Sequence, residues 1–361
     1  MKKSNLIAGF ALFTMFFGAG NMLLPLLLMQ TNSGAWLAAS VGFILSAVLV
    51  TFLGLCSSIV SGGVKNFFAP LGIKLSFIIQ LVLICIEGPF GIVPRCMIVS
   101  LGSIESTFGK LPNVMFFIFS YIVIYFMALN KKRIITIIGK FLTPIMLLCL
   151  VVVCVITFYT KPFLVANNQD FSFNILYEGL KIGYLTYDLP GAIYFAPIAL
   201  IYLIGEAETK REKILNGLKV SVICVIMLLL VYAVFFYLGL AYHDNIVYIA
   251  PEMILPTIIR STMGKMSHII FTLFIYLACL TTAVAAISIW SDFILEYLPN
   301  KIKEGANTSK YILAISLIIA LFVSMNNFTG LIAILMPILT FIYPVLICLS
   351  IYNIYKYSKT S

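Results

Sequence analysis

Phe13-Thr14-Met15-Phe16-Phe17-Gly18-Ala19-Gly20-Asn21-Met22-Leu23-Leu24-Pro25 lies inside the first long apolar run of the chain. A membrane helix should be continuous there, yet two glycines, an asparagine and a proline fall near its middle. Glycine has no side chain to hold helical geometry, and proline removes one backbone donor and clashes with the preceding turn. A helix broken at that depth frees N–H and C=O groups where no water can meet them. Such backbone is tolerated only when it is buried in protein or lines a cavity. The alternative is a packing notch, since small residues are common where membrane helices touch.

The rest of the chain has the composition of a membrane protein. Of its 361 residues, 62% are hydrophobic and 10% charged, whereas soluble domains carry about 25% charged residues. Apolar runs of roughly 20 residues recur from end to end, each long enough for a ~30 Å hydrocarbon core. The first, Leu6 to Met29, is too long for a signal peptide's apolar region and reads as a span. The eight cysteines form no Cys-x-x-Cys pair, so neither a disulfide framework nor a zinc site is indicated. The net charge of +10 fits lysines and arginines that hold cytoplasmic loops, rather than a nucleic-acid surface.

Ten spans are predicted, at about 5–30, 35–59, 74–97, 112–130, 134–160, 184–205, 218–241, 268–291, 310–325 and 330–352. With the amino terminus inside, seventeen of the 23 basic residues face the cytoplasm. The other six, Arg95, Lys110, Lys161, Lys181, Arg260 and Lys265, face out. This asymmetry places both termini in the cytoplasm. The segments 161–183 and 241–267 read as long outer connections, with an amphipathic piece at Met253–Met263. The segment 205–219 reads as a charged cytoplasmic turn.

The sixth span repeats the anomaly of the first, in Thr186-Tyr187-Asp188-Leu189-Pro190-Gly191. The two interrupted helices are five spans apart. A repeat of five must re-enter the membrane inverted, so residues 1–160 and 161–361 read as two inverted five-helix repeats of a single transport domain. Discontinuous helices at matching positions of inverted repeats point to a secondary transporter with its site near the midplane.

Four features carry candidate chemistry. Freed amides at Gly18-Ala19-Gly20, beside Asn21, suit a substrate carboxylate, and carbonyls freed before the break suit a small cation. Asp188 is an ionisable group within a span, which costs about 2.5–3.5 kcal/mol on insertion scales and marks a functional candidate. Its alternative is a near-surface cap on a helix beginning at Leu189. Ala278, Thr281 and Thr282 share one helix face and offer hard oxygens to Na⁺, although membrane threonines often only bond the carbonyl one turn back. Glu87 lies in Glu87-Gly88-Pro89-Phe90-Gly91-Ile92-Val93-Pro94-Arg95. It reads as a gating or coupling group facing a cavity, or as a buried neutral acid. Its pairing with Arg95, eight residues and about 12 Å along an ideal helix, would need a bend there. No phosphate loop, nucleophile elbow or His-Glu-x-x-His motif is present, which argues against an enzyme or a nucleotide-driven pump.

Phe17-Gly18-Ala19-Gly20-Asn21 with Pro25 resembles the first-helix signature of bacterial branched-chain amino acid:cation symporters, within the amino acid–polyamine–organocation superfamily. Gly88-Pro89 with Pro94-Arg95, Gly183 to Asp188, Ala278 to Val284 and Ile342-Tyr343-Pro344 resemble further segments of that family in the same order. The resemblance implies an all-α integral membrane protein of the leucine-transporter type. It would have a 5+5 inverted repeat, with helices 1 and 6 discontinuous, in a bacterial inner membrane. It implies that the amides of Gly18, Ala19 and Gly20 hold the substrate carboxylate, and that Tyr187, Asp188 and Gly191 meet its ammonium group and side chain. It also implies a sodium site from the carbonyls of Thr14, Phe17 and Ala278 and the hydroxyls of Thr281 and Thr282.

The function implied is Na⁺-coupled import of leucine, isoleucine and valine by alternating access, with no cofactor and the lipid bilayer as surroundings. H⁺ coupling, a broader neutral range such as methionine, or an uncoupled facilitator are the alternatives. Nothing in the sequence specifies an oligomer. Ten spans are two fewer than the family's usual twelve, and Glu87 and Val93 depart from its expected pattern.

Overall fold

The computed structural model describes residues 3–129, 143–161, 171–194, 209–303 and 307–359. The expectations for residues 134–142 of span five, for 195–205 of span six and for the basic cluster Lys131, Lys132 and Arg133 lie outside these. Among the described residues the fold is all helix.

The first span is α1 (Lys3–Phe16) and α2 (Ala19–Asn32). The second is α3 (Trp36–Ile44), a π-helical turn at Leu45–Leu49, and α4 (Val50–Ser61). The third divides into α5 (Gly72–Glu87) and α6 (Ile92–Phe108). Then come α7 (Asn113–Ala128), α8 (Thr143–Thr160) and α9 (Phe173–Tyr184). After a short break, α10 covers 188–194. The chain continues with α11 (Lys210–Ala241), α12 (Ile254–Tyr297), α13 (Thr308–Ser324) and α14 (Phe328–Ser358).

Several boundaries differ from the sequence reading. The sixth span does not begin at Tyr184: α9 precedes it, so the break around Asp188 falls in the helix interior. Glu178 and Lys181 dilute the hydropathy of α9 and give it the look of a loop. The third span extends to Phe108, which takes Arg95 from the outer face into the interior, where it is 4% exposed. The piece at Met253–Met263 is, from Ile254 on, the first part of α12, which runs on into span eight. Residues 210–219 are helical, because Thr209 and Glu212 form a capping box: the Thr209 hydroxyl accepts from the Glu212 amide at 3.4 Å and the Glu212 carboxylate accepts from the Thr209 amide at 3.3 Å. Capping of this kind satisfies donors that the first turn leaves free.

Five helical runs among the described residues are long and apolar enough to cross a membrane: 19–61, 64–108, 211–241, 269–297 and 328–357. The outward faces agree with that. Met115, Phe119, Ile122 and Phe126 are exposed along one stripe of α7, and Tyr311, Ile315, Ile318 and Phe322 along one stripe of α13. Large apolar side chains at this helical spacing mark a face that packs against something apolar, here lipid tails.

The helices make two main groups of contacts, which α12 joins by also packing on α2. The α3/α9 and α1/α11 pairs make broad contacts, and α11 also lies on α2 and α4. On the other side α12 packs along α6, and α7, α12 and α13 pack on one another. The α3/α9 crossing is close because both helices present glycine. A Cβ on Gly42 would meet the Leu176 carbonyl, and one on Gly179 the Ala39 carbonyl. Close approach of this kind is what small residues permit between membrane helices.

Candidate substrate and ion site

The first break is made by Phe17 and Gly18. The Phe17 amide closes the last turn of α1 on Phe13 O at 2.9 Å, and the Met22 amide opens α2 on Gly18 O at 3.3 Å. Gly18 between them is extended, at φ −125° and ψ −167°. Its amide donates to Asn21 Oδ1 at 3.3 Å, which holds the start of α2 in place. A Cβ on Gly18 would stand 2.9 Å from Thr282 Cγ2, so glycine here lets α12 approach the break.

The second break spans Leu185 to Tyr187. The Thr186 amide bonds Gly183 O and the Tyr187 amide bonds Tyr184 O, both at 3.2 Å, which tightens the end of α9. Tyr187 has φ +63°, a left-handed conformation that a bulky L-residue holds only when its surroundings impose it. Arg95 supplies part of that constraint. Its guanidinium lies 4.5 Å from the centre of the Tyr187 ring, and Nη1 donates to the Leu185 carbonyl. A cation at the C-terminal end of α9 and the Asp188 carboxylate at the N-terminal start of α10 both complement the helix dipoles.

The two breaks are joined directly. Asn21 Nδ2 donates to both Asp188 oxygens, at 2.9 and 3.0 Å, and to the Tyr232 hydroxyl at 2.6 Å. Tyr232, on α11, donates to Asp188 Oδ2 at 2.6 Å. Asp188 is 2% exposed, Asn21 1% and Tyr232 0%. Asp188 thus stands at the start of α10 but is buried in the protein rather than near its surface. Tyr232 was not a candidate from the sequence, because a tyrosine in a continuous apolar run gives no sign of what its hydroxyl meets.

Glu87 and Arg95 reach the same place from the third span. Gly91 lets the chain turn between α5 and α6, since a Cβ there would meet the Ile86 carbonyl. Arg95 also packs on the first break, where a Cβ on Gly20 would lie 2.5 Å from Nη2. Both residues are 4% exposed, and among the described residues neither Glu87 Oε1 nor Arg95 Nε has a hydrogen-bond partner. The Tyr187 hydroxyl is likewise buried without one.

Gly18, Asn21, Glu87, Arg95, Tyr187, Asp188, Gly191 and Thr282 line one cavity of about 20 Å³, roughly the volume available to one water-sized sphere. Of the other residues expected at the site, Ala19 and Gly20 on the substrate side and Thr14, Phe17, Ala278 and Thr281 on the ion side do not line it. Thr281 Oγ1 and Thr282 Oγ1 donate to Ala278 O at 2.7 and 3.1 Å, and Thr14 Oγ1 to Phe10 O at 2.8 Å. These are the backbone bonds that membrane threonines commonly make, and they leave the hydroxyl lone pairs as acceptors. Thr282 is the member of that set in contact with the break. No group of three or more His, Cys, Asp or Glu side chains suited to a metal ion occurs among the described residues.

Two helices broken at one buried polar centre define a multi-span carrier fold of the leucine-transporter-related type. The fold is similar to Mhp1, a nucleobase-cation-symport-1 family transporter solved in a closed conformation, with a TM-score of 0.60 at 14% identity, covering 95% of this chain and 77% of Mhp1. The chain belongs to the family described as "Branched-chain amino acid transport protein", whose sequence profile matches residues 1–360. It is similar to the branched-chain amino acid transport system 2 carrier protein of Pseudomonas aeruginosa, 29% identical over 369 residues, 98% of this chain and 82% of that protein. It is also similar to the branched-chain amino acid permease BrnQ of Bacillus subtilis, 27% identical over 360 residues, 95% and 79% of the two chains.

Proposed function

We propose that this protein is a secondary-active symporter that imports leucine, isoleucine and valine with Na⁺ by alternating access. The observation that carries the reading is the meeting of the two helix breaks through Asn21 and Asp188. Free helix ends in the membrane interior are costly unless they are buried in protein or line a cavity, and these do line one. Ends from both halves of the chain meet at this one. The family and the names of its relatives supply the substrate class.

In this reading α1–α4, α9, α10 and α11 form a bundle that rocks against a scaffold containing α5–α7, α12 and α13. Each group takes helices from both inverted five-helix repeats, 1–160 and 161–361, and both termini are cytoplasmic. Of the expected carboxylate donors, the Gly18 amide is taken by Asn21, so the amides of Ala19 and Gly20 face the substrate carboxylate, while Tyr187 and Gly191 shape the pocket. Sodium lies between Thr14, Phe17 and Ala278 carbonyls and the Thr281 and Thr282 hydroxyls. Thr282 against Gly18 supports that reading, because an ion held there would tie α12 to the first break. Binding of either ligand then favours the other, by the same factor.

The test is uptake of labelled leucine into proteoliposomes, with Na⁺ and pH gradients imposed separately and other amino acids as competitors. Accumulation above equilibrium only under a sodium gradient is the expected result. Accumulation driven by a pH gradient without sodium would replace Na⁺ by H⁺, and equilibration without accumulation would make the protein a facilitator.

A further inference from the structure

The acid expected to meet the substrate's ammonium group was Asp188, but its carboxylate is already occupied. Three hydrogen bonds reach it from Asn21 and Tyr232. Among the described side chains that line the cavity, Glu87 Oε1, Arg95 Nε and the Tyr187 hydroxyl are buried without a hydrogen-bond partner. A buried polar group without a partner forfeits the hydrogen bonds it had in water, and more is lost when the group is charged. An orphaned carboxylate oxygen and an orphaned guanidinium N–H in one cavity are complementary to the two charged ends of an α-amino acid.

We propose that Glu87 and Arg95 form a zwitterion clamp, in which Glu87 receives the substrate's ammonium group and Arg95 its carboxylate. The inference rests on the reading of the site as an amino acid site and adds the third span to it.

The local structure explains how two residues so far apart in a helix serve one ligand. The turn at Gly88–Gly91 ends α5 at Glu87 and starts α6 close to Arg95, so both side chains reach the cavity. Arg95 is fixed before any ligand arrives, by the Leu185 carbonyl, the Tyr187 ring and the backbone at Gly20. That fixed guanidinium lies over the Gly18–Gly20 break, where the amides would meet a carboxylate. The Gly18 amide is spent on Asn21, so the guanidinium supplies donor capacity that the break lacks. Arg95 and Glu87 ride on the third span, whereas Asn21, Tyr187 and Asp188 ride on the broken helices. A substrate held by both groups sits in the seam between the two sets, where its binding draws them together. The cavity of about 20 Å³ has no room for a leucine beside its walls, so the seam opens to admit one.

The test is equilibrium binding of labelled leucine to the purified full chain in lipid nanodiscs. The competitors are 4-methylpentanoate, which lacks the amine, 3-methylbutylamine, which lacks the carboxylate, and the twenty amino acids. On the wild type, each truncated analogue should compete at least ~10-fold more weakly than leucine, as expected when one charged hydrogen-bonded end is lost. Glu87→Gln should weaken leucine by at least ~10-fold while leaving 4-methylpentanoate within about twofold. Arg95→Gln should weaken leucine while sparing 3-methylbutylamine.

Leucine affinity unchanged in Glu87→Gln would overturn the clamp, as would an equal loss of leucine and 4-methylpentanoate, which would mark a structural role. So would full-strength competition by either analogue on the wild type, a result that needs no variant. Loss of pH-driven uptake at unchanged leucine affinity would make Glu87 a proton carrier instead. If the wild type prefers an unbranched amino acid but needs both charged ends, the clamp stands and the branched-chain reading falls. If it binds no amino acid, both fall.

Discussion

Asn21 and Asp188, 167 positions apart, meet through two hydrogen bonds from one amide nitrogen to both oxygens of one carboxylate, at 2.9 and 3.0 Å. Each residue stands at the start of the helix that follows a break. The bond therefore fixes how the first and sixth spans face each other, and Tyr232 adds the seventh at 2.6 Å. Hydrogen bonds to a charged group contribute about 1.5–3 kcal/mol each, so this junction is a point where a small change should reach both function and stability.

Asp188→Asn keeps the shape and removes the charge. The Tyr232 hydroxyl and the Asn21 amide then compete for a single carbonyl oxygen. We expect the thermal midpoint of the purified protein to fall and the rate of leucine transport to drop by about tenfold or more, corresponding to a loss of ~1.4 kcal/mol or above. Leucine affinity should fall less than rate, because Asp188 holds helices and Glu87 holds the ligand. Unchanged rate and midpoint in transport and thermal-shift measurements would show that the junction contributes neither.

Thr281→Ala combined with Thr282→Ala removes two hydroxyl oxygens and leaves the Ala278 carbonyl in place. The half-saturating Na⁺ concentration for leucine uptake should rise by about tenfold, with normal insertion into the membrane. A sodium dependence identical to wild type would remove these hydroxyls from the ion site.

Gly42→Ala and Gly179→Ala each place a methyl group against backbone of the opposing helix, at the Leu176 and Ala39 carbonyls. Backbone on both sides cannot move aside as a side-chain tip can. Each variant should lose about 1–3 kcal/mol through overpacking, read as a lower unfolding midpoint in detergent. A midpoint equal to wild type would contradict backbone contact between α3 and α9 at these glycines.

Lys65 and Glu296 form an exposed ion pair, with side chains 83% and 44% exposed. Exposed pairs are screened by water and salt and hold two long side chains at an entropic cost. Lys65→Ala should leave the midpoint unchanged at physiological salt. A loss comparable to that of Asp188→Asn would contradict this ranking.

Much of the fold was legible where backbone chemistry decides it. Gly18 and Gly20 marked the first break, and Gly88, Pro89 and Gly91 marked the division of the third span, because glycine and proline act locally. The sixth break was legible in its residues and misplaced in depth. Glu178 and Lys181 lower the apolar content of α9, and hydropathy alone cannot tell a short charged half-helix from a loop. The Thr209–Glu212 capping box was present in the sequence as Thr-Lys-Arg-Glu and would have moved the start of α11 back to Lys210. Partnerships were the illegible part. That Asp188 is satisfied by Asn21 and Tyr232, and Glu87 Oε1 by no described residue, depends on contacts between distant spans that one sequence does not encode locally.

The central claim is that a neutral amino acid and a cation cross together. Leucine is uncharged overall, so its entry with Na⁺ carries one positive charge, which can be recorded as a current on a membrane-supported electrode coated with proteoliposomes. Addition of leucine in sodium buffer should give an inward positive current that vanishes when sodium is replaced by choline at the same pH. A current that persists without sodium and follows the pH gradient, or leucine flux with no current at all, would contradict it.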